Sequence, residues 1–321
     1  MSRLKCVIFA ISFVAIICPA FPAIPADTSG FSGMAQVSPN AFLTVNDRKN
    51  PIESGYRLGV ITLTDADGIV FTPVNVDDWM HEDKEPSDLE ASCAIPGRDG
   101  EFLIAESGFY NGHFGRIFHV TLLKDKEGFW VVTVNKAFKI YNRKLNAKKS
   151  SYKGDQVEGI ACFNALGKII LVYGERGGLT HGGKKVGTLV WGTIDFGTYQ
   201  FGKLGEASLV NNSVLGDRDC SALRLIPNED GSVSVLSVAT RDVGDNGPFH
   251  SAVYRAGRFM VDQKEKTIQF TRDAKPQILS ELSGIKVEAL AGPARNAAES
   301  KYSIATDDEH LGGIWRPLFG K

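Results

Sequence analysis

The sequence predicts an all-β fold, and within that class a β-propeller of five blades with about four antiparallel strands each. Three observations predict it: a short motif recurs five times, similar strand-like segments follow every copy, and helical periodicity is scarce. A four-stranded unit repeated around a closed ring is a β-propeller. Six blades is the alternative, because the intervals exceed the roughly 40 to 50 residues common for a blade and one interval could hide a degenerate copy.

The repeated motif is a short apolar strand with a polar residue near its start. Its clearest copies are "LEASCA", "VEGIAC" and "VEALAG", and two weaker copies, "FSGMAQ" and "CSALRL", have serine where the others have glutamate. The five polar positions are spaced by 58, 68, 63 and 67 residues, and they are Ser32, Glu90, Glu158, Ser221 and Glu288. We interpret each copy as the first strand of a blade.

Further strands follow each copy in a fixed order. The second strand is apolar and ends in polar or acidic residues, as in "EFLIAESG", "IILVYGERG" and "YSIATDDE". The third is represented by "RIFHVTLL" and "TLVWGTID", and the fourth by "FWVVTVNKAF" and "KTIQFTRD". Short apolar runs bounded by Gly, Asn, Asp and Pro are typical of strands separated by turns.

The first 26 residues have the organisation of a secretory signal. Arg3 and Lys5 precede the apolar run "CVIFAISFVAIICPAF", and small residues continue to Ala26. The sequence therefore predicts a signal peptide over residues 1–26, a single propeller domain over residues 27–321, and a secreted or periplasmic location. No later apolar run is long enough for a membrane span, so none is expected in the mature chain.

The charge balance restricts the partners. Lys and Arg number 36 against 37 Asp and Glu, which gives a formal net charge of -1. Proteins that track phosphate backbones usually have a basic excess, so nucleic acid is not expected as a partner. A small anionic substrate or ligand, or a protein partner, remains compatible with this balance.

The repeat predicts that acidic residues converge on one mouth of the central channel. Because neighbouring strands are antiparallel, the start of the first strand and the end of the second lie on the same face of the ring. Clustered carboxylates repel one another and supply the hard oxygen ligands that Ca²⁺ takes. The predicted metal ligands are Glu90, Glu158, Glu288 and Asp307, with Asp47, Glu106 and Glu175 in support. The alternative is that each acid caps its own blade by accepting backbone hydrogen bonds.

Basic residues and one histidine accompany these acids. Arg176 follows Glu175, Arg241 precedes Asp242, and His310 follows three acids at the predicted end of a second strand. Guanidinium groups beside a bound cation would steady the anionic group of a substrate, so the sequence predicts catalytic roles for Arg176, Arg241 and His310. In the alternative interpretation, neighbouring Arg and Asp residues simply neutralise each other.

The segments "SDLEASCAIPGRDGEFLIAESG", "QVEGIACFNALGKIILVYGERGG" and "KVEALAG" with "YSIATDDEHLGGIW" resemble the secreted propellers of the esterase-like activity of phytase, or phytase-like, family. This resemblance implies a β-propeller, export, and calcium-dependent hydrolysis of phosphomonoesters. Glu158 and Gly159 are also similar to the glutamate-glycine pair of gluconolactonase-like propellers, whose glutamate binds a divalent metal, although Ile160 replaces the proline of that group.

These observations together predict an exported propeller whose acidic channel mouth binds Ca²⁺ and hydrolyses a phosphate ester or a related ester. Two alternatives remain open at the level of sequence. One is a non-catalytic propeller that binds a ligand or a protein and has a structural metal, and the other is a gluconolactonase-like, metal-dependent lactonase.

Overall fold

The structure is a computed structural model that describes residues 30–49, 55–64, 68–80, 85–108, 115–140, 156–178, 185–209, 218–297 and 299–319. The predicted signal peptide, residues 1–26, lies outside the described residues. The described residues form nineteen β-strands in five antiparallel sheets, with only two short 3-10 helical turns, Arg295–Ala297 and Glu309–Leu311. No helix in this part of the chain is long and apolar enough to cross a membrane.

Each sheet is one blade, and its strands follow one another in chain order. The first blade has β1 (Gly33–Ser38), β2 (Ala41–Val45), β3 (Leu58–Leu63) and β4 (Ile69–Val74). The second has β5 (Leu89–Ala94), β6 (Glu101–Glu106), β7 (Ile117–Lys124) and β8 (Trp130–Phe138). The third has β9 (Val157–Ala165), β10 (Lys168–Glu175), β11 (Thr188–Asp195) and β12 (Gln200–Ser208).

The last two blades differ in size. The fourth has β13 (Leu223–Pro227), β14 (Val233–Arg241), β15 (His250–Asp262) and the long outer strand β16 (Thr267–Ser283). The fifth has β17 (Val287–Ala291), β18 (Tyr302–Thr306) and β19 (Trp315–Leu318). Among the described residues the fifth blade therefore has three strands, where the sequence predicts about four per blade.

Burial along the strands follows their place in the blade. In β9, an inner strand, seven of nine residues are buried, whereas the outer strand β12 has none. In β8 buried and solvent-facing positions alternate over much of the strand, as expected for a sheet with one face on the core. The apolar core is divided into five clusters, and each of them lies between two neighbouring blades.

The ring closes through contacts between the first and fifth blades. One apolar cluster joins Phe31 and Phe42 of the first blade to Trp315 of the fifth. The Phe31 N–H donates to the Thr306 carbonyl at 2.8 Å, so the chain just before β1 is hydrogen-bonded to the fifth blade. Since every described blade now contacts two others, the five-bladed prediction is confirmed and the six-bladed alternative is wrong.

Candidate functional site

The three repeated glutamates occupy equivalent irregular positions at the heads of inner strands. In each case the pairing between the first and second strands of the blade skips the glutamate, which is the extra residue of a β-bulge: Glu90 in β5, Glu158 in β9 and Glu288 in β17. A bulge bends the strand and redirects a side chain, and such bulges are common beside active sites. The repeat therefore places three carboxylates around the channel by the same local device.

These glutamates lie at the floor of a cavity of about 540 Å³, which we call the acidic mouth. Eight of its lining side chains are carboxylates and four are cationic, so acids outnumber cations two to one among the described residues. The lining residues are Asp47, Lys49, Asp88, Glu90, Gln156, Glu158, Arg176, Arg218, Asp242, Gly244, Asp245, Lys286, Glu288 and Glu309. The predicted convergence of acids from several blades on one mouth is thus observed for Glu90, Glu158, Glu288 and Asp47.

The acidic mouth narrows below the glutamates. Glu90, Glu158 and Glu288 also line a constriction of only about 10 Å³, together with apolar residues of the inner strands. This constriction is too small to hold a substrate. A ligand entering from the acidic mouth meets the three carboxylates at its deepest point.

Two of the three glutamates have cationic partners. Arg176 Nη1 lies 3.1 Å from Glu158 Oε1, and both side chains are nearly buried. Glu288 Oε1 lies 3.0 Å from Lys286 Nζ and 3.5 Å from Arg218 Nη1. Arg218 also contacts Asp242 through Nη2 at 2.7 Å. These ion pairs compensate the buried negative charge on this side of the mouth.

Glu90 is different from its two counterparts. Its side chain is buried, yet among the described residues it has no hydrogen bond or ion pair to a cationic group. Burial and the nearby carboxylates of Glu158 and Asp88 raise the pKa of Glu90 well above its usual range. A carboxyl in this environment either holds a proton at neutral pH or requires a cation.

Glu90 belongs to a cluster of three acids. One carboxylate oxygen from each of Asp47, Asp88 and Glu90 lies within 4.8 Å of the others. Lys49 Nζ contacts this acidic trio, 3.0 Å from Asp47 Oδ2 and 3.5 Å from Asp88 Oδ1. Burial raises the pKa of Asp88 to about 6, although Lys49 and a hydrogen bond from Ser107 oppose the shift.

Asp307 lies behind the acidic mouth. It is buried and does not line the cavity, but burial and the charge of Asp47 raise its pKa to about 7. Its neighbour Asp308 accepts hydrogen bonds from the Lys286 N–H at 2.6 Å and from the Thr306 hydroxyl at 2.7 Å. Asp308 therefore caps the loop that positions Lys286, whereas Asp307 is a buried acid close enough to Asp47 for the two charges to interact.

Two of the predicted supporting ligands have other surroundings. Glu106 is fully buried, and its Oε1 lies 2.6 Å from Arg116 Nη2, while its Oε2 accepts from the N–H groups of Gly115 and Arg116. It lies in the register position opposite Leu89, but its charge is compensated by Arg116 and it does not line the cavity. Glu175 also does not line the cavity. Glu106 therefore fits the alternative in which an acid caps its own blade by accepting backbone hydrogen bonds.

Two of the three predicted catalytic residues also fall outside the acidic mouth. Arg241 is the exposed last residue of β14, and His310 is exposed in the 3-10 turn after β18. Neither is among the residues that line the cavity, and their catalytic roles stay predictions. Arg176 does line it.

Sequence reasoning did not assign roles to Asp88, Arg218 and Lys286. Asp88 ends an acidic stretch directly before β5 and has a positive φ of 61°, a backbone state for which aspartate is one of the more tolerant residues. Its place immediately before a repeated strand was the available signal. Lys286 likewise stands directly before β17, so residues that precede an inner strand reach the acidic mouth in two blades.

No protein-family model matches the chain, and no curated protein matches its sequence. Among solved structures it is similar to an exo-1,5-alpha-L-arabinanase from a bovine ruminal metagenomic library, with 10% identity, 90% of this chain and 93% of that chain covered, and a TM-score of 0.47. A GH43 endo-arabinanase from Bacillus licheniformis has 12% identity, with 91% and 95% covered and a TM-score of 0.46.

An alpha-L-arabinofuranosidase from Lactobacillus brevis has 10% identity, with 92% of each chain covered and a TM-score of 0.47. Similarity at this level is a likeness of overall fold and does not extend to what this chain binds or hydrolyses. The five antiparallel sheets confirm the β-propeller implied by the phytase-like resemblance, whereas membership of that family is not shown.

Proposed function

We propose that the acidic mouth binds a divalent cation of the Ca²⁺ type and hydrolyses an ester there. One observation supports this most: among the described residues Glu90 is a buried carboxyl with no direct ion pair or hydrogen bond to a cationic group, and it lies within 4.8 Å of oxygens of two further acids. Its two counterparts, Glu158 and Glu288, are each paired with a basic residue. A cation at Glu90 would complete the pattern that the other two blades follow.

The acidic trio fits the needs of such an ion. Ca²⁺ takes six to eight oxygen ligands in flexible geometry, and three carboxylates with water can supply them. One oxygen of Asp88 is used by the Ser107 hydroxyl, and Lys49 contacts the other. Because the Lys49 side chain is 37% exposed, its ammonium group can turn toward solvent when an ion takes its place.

A cation bound at the trio would polarise the ester oxygen and lower the pKa of a water. The chain's own residues would position the substrate. Arg176, Arg218 and Lys286 line the same cavity and can orient a polar group opposite the trio. In this proposal Arg218 and Lys286, which line the cavity, act beside Arg176.

The charge of the mouth narrows the substrate class. Carboxylates outnumber cationic side chains two to one, so the mouth repels an anion unless an ion is bound. A carboxylic ester or a lactone does not face this repulsion. The electrostatics therefore favour an uncharged ester over a phosphate ester, and binding of a phosphate ester should depend strongly on the cation.

A second candidate function is metal-free acid–base hydrolysis, including that of glycosides. The observation that favours it is the contrast between Glu90, whose pKa is raised by burial and by Glu158, and Glu158 itself, which is ion-paired with Arg176. A protonated carboxyl beside an ionised one is the arrangement that glycoside hydrolysis uses. In this function Glu90 would be the proton donor and no ion would be needed.

Activity assays on phosphate monoesters, carboxylic esters, lactones and aryl glycosides, with and without EDTA, separate the two. We expect ester or lactone hydrolysis that EDTA abolishes and Ca²⁺ restores, with a loss of about 100-fold or more in Glu90→Gln. The control Glu175→Gln should retain activity, since that acid does not line the cavity. Glycoside hydrolysis that resists EDTA would support the second candidate, and no turnover on any substrate would contradict both.

A further inference from the structure

The channel has a second opening, and its chemistry differs from that of the acidic mouth. A cavity of about 480 Å³, which we call the thiol end, is formed by the later residues of the same inner strands. Its polar lining includes Gln36, Ser92, Cys93, Cys162 and Arg224. Of the described lining residues, Arg224 alone is charged. The function proposed for the acidic mouth does not use these residues.

Two cysteines of neighbouring blades meet in this cavity. Cys93 of β5 and Cys162 of β9 are 69 positions apart in sequence, but their Sγ atoms are 3.7 Å apart, and the Cys93 thiol donates to Cys162. Both sulfurs are free thiols. A disulfide has an S–S length of about 2.05 Å, so the two sulfur atoms have to approach by about 1.7 Å. Rotation of the side chains and small shifts of adjacent strands can provide such a movement.

We propose that Cys93 and Cys162 are a site of oxidative cross-linking, at which a disulfide forms between the inner strands of the neighbouring second and third blades. The third described cysteine, Cys220, is not part of this site. It is fully buried and its thiol contacts the Ala222 carbonyl.

The exposure of the two cysteines determines which of them reacts first with an oxidant. Cys162 is partly exposed whereas Cys93 is buried, so an oxidant in the cavity reaches Cys162 first. The pKa of Cys162 is raised by its hydrogen bond with Cys93 and by burial, which slows its reaction at neutral pH.

The reaction balances with a small-molecule disulfide, such as oxidised glutathione, as the oxidant. The Cys162 thiolate attacks one sulfur of the oxidant, forms a mixed disulfide and releases one thiolate. The Cys93 thiolate then attacks Cys162 Sγ, forms the intramolecular disulfide and releases the second thiolate. The two protons lost by the cysteines pass to the two released thiolates, so the protein loses two hydrogens and the oxidant is reduced to two thiols.

The two sulfurs favour a disulfide over a bound soft metal ion. A closed zinc site usually needs four ligands, and the cavity lining includes only these two thiols and no histidine, aspartate or glutamate. A disulfide needs only the two sulfur atoms that already touch. Metal binding at the thiols is therefore an outcome that the test has to distinguish.

The test treats the purified, reduced protein with oxidised glutathione and identifies the remaining thiols by alkylation and peptide mass spectrometry. We expect one linked peptide pair containing Cys93 and Cys162, with Cys220 still alkylated. We also expect the oxidised protein to have a Tm higher by about 5 °C, because the link constrains a long segment of the unfolded chain.

Two variants keep the result interpretable. In Cys93→Ser the second step is blocked, so Cys162 should be recovered as the mixed disulfide with glutathione. In Cys220→Ser the cross-link should form as in the wild type. The proposal would be overturned by free thiols at Cys93 and Cys162 after oxidation, by glutathione on both of them, or by a stoichiometric metal that disappears in Cys93→Ser.

Discussion

The two ends of the central channel are made by the same inner strands but have opposite chemistry. The acidic mouth has eight carboxylates, whereas the thiol end has a single charged side chain among its described lining residues. Glu90 and Cys93 lie on the same strand, and so do Glu158 and Cys162. A few residues along a strand are therefore enough to change the environment from a charged cavity to a nearly neutral one.

The difference follows from what surrounds each end. At the acidic mouth, bulges and the loops before the inner strands bring in charged residues such as Asp88 and Lys286. At the thiol end, the regular parts of the strands present small and apolar side chains to one another. The comparison indicates that the irregular strand heads determine the chemistry of this propeller, while the regular strands maintain the ring.

The largest expected effect tests whether two buried acids of the second blade, Glu90 and Glu106, contribute to stability in the same way. Glu106→Gln removes the charge partner of the fully buried Arg116, so we expect the free energy of unfolding to fall by about 3 to 5 kcal/mol. Glu90→Gln removes a buried charge that has no direct ion pair among the described residues and that burial and neighbouring acids disfavour, so stability at neutral pH should stay the same or rise. Denaturant unfolding of both variants measures this. Equal destabilisation would mean that Glu90 is a structural cap like Glu106.

The next effect in size concerns pH. Asp307 has a pKa of about 7 in the folded protein, above its ordinary value of 3.8, so the folded state binds more protons than the unfolded state between these values. Its contribution to stability is complete below pH 3.8 and is lost as the pH rises through about 7. Metal-free protein should therefore lose stability, relative to Asp307→Asn, between pH 5 and about 7.5.

Thermal unfolding across this pH range measures the difference. The Tm of Asp307→Asn should fall less steeply with rising pH than that of the wild type, by a few degrees over the range. Glu265→Gln, in the exposed turn between β15 and β16, is the control and should follow the wild type. Parallel curves for Asp307→Asn and the wild type would contradict the raised pKa of Asp307 in the folded protein.

Much of the fold could be predicted because the repeat is visible in the sequence. The first strands were placed by their motif, and "FWVVTVNKAF" corresponds closely to β8 (Trp130–Phe138). The extent of β16 was not predicted: "KTIQFTRD" covers only the start of a strand that continues to Ser283. None of its residues after Asp273 is buried, so this part of the strand does not have the apolar run that marks the inner strands.

The acidic mouth was predicted less completely. The repeat identified Glu90, Glu158 and Glu288, because each lies at a fixed place in the motif. It could not show that Arg116 compensates Glu106, since that pair is formed by a loop after the second strand and not by the repeat itself. Nor could it show that Lys286 forms an ion pair with Glu288 while Glu90 has no direct ion pair among the described residues. These ion pairs depend on loops that differ from blade to blade.

The most direct measurement is a calorimetric titration of Ca²⁺ into metal-stripped protein, with Glu90→Gln and the control Glu175→Gln. We predict that the wild type and Glu175→Gln bind one ion with equal affinity, and that Glu90→Gln binds it about 100-fold more weakly. Binding without turnover would keep the ion site and contradict the hydrolase. Absence of binding in the wild type, or equal binding in Glu90→Gln, would contradict the cation site at the acidic trio.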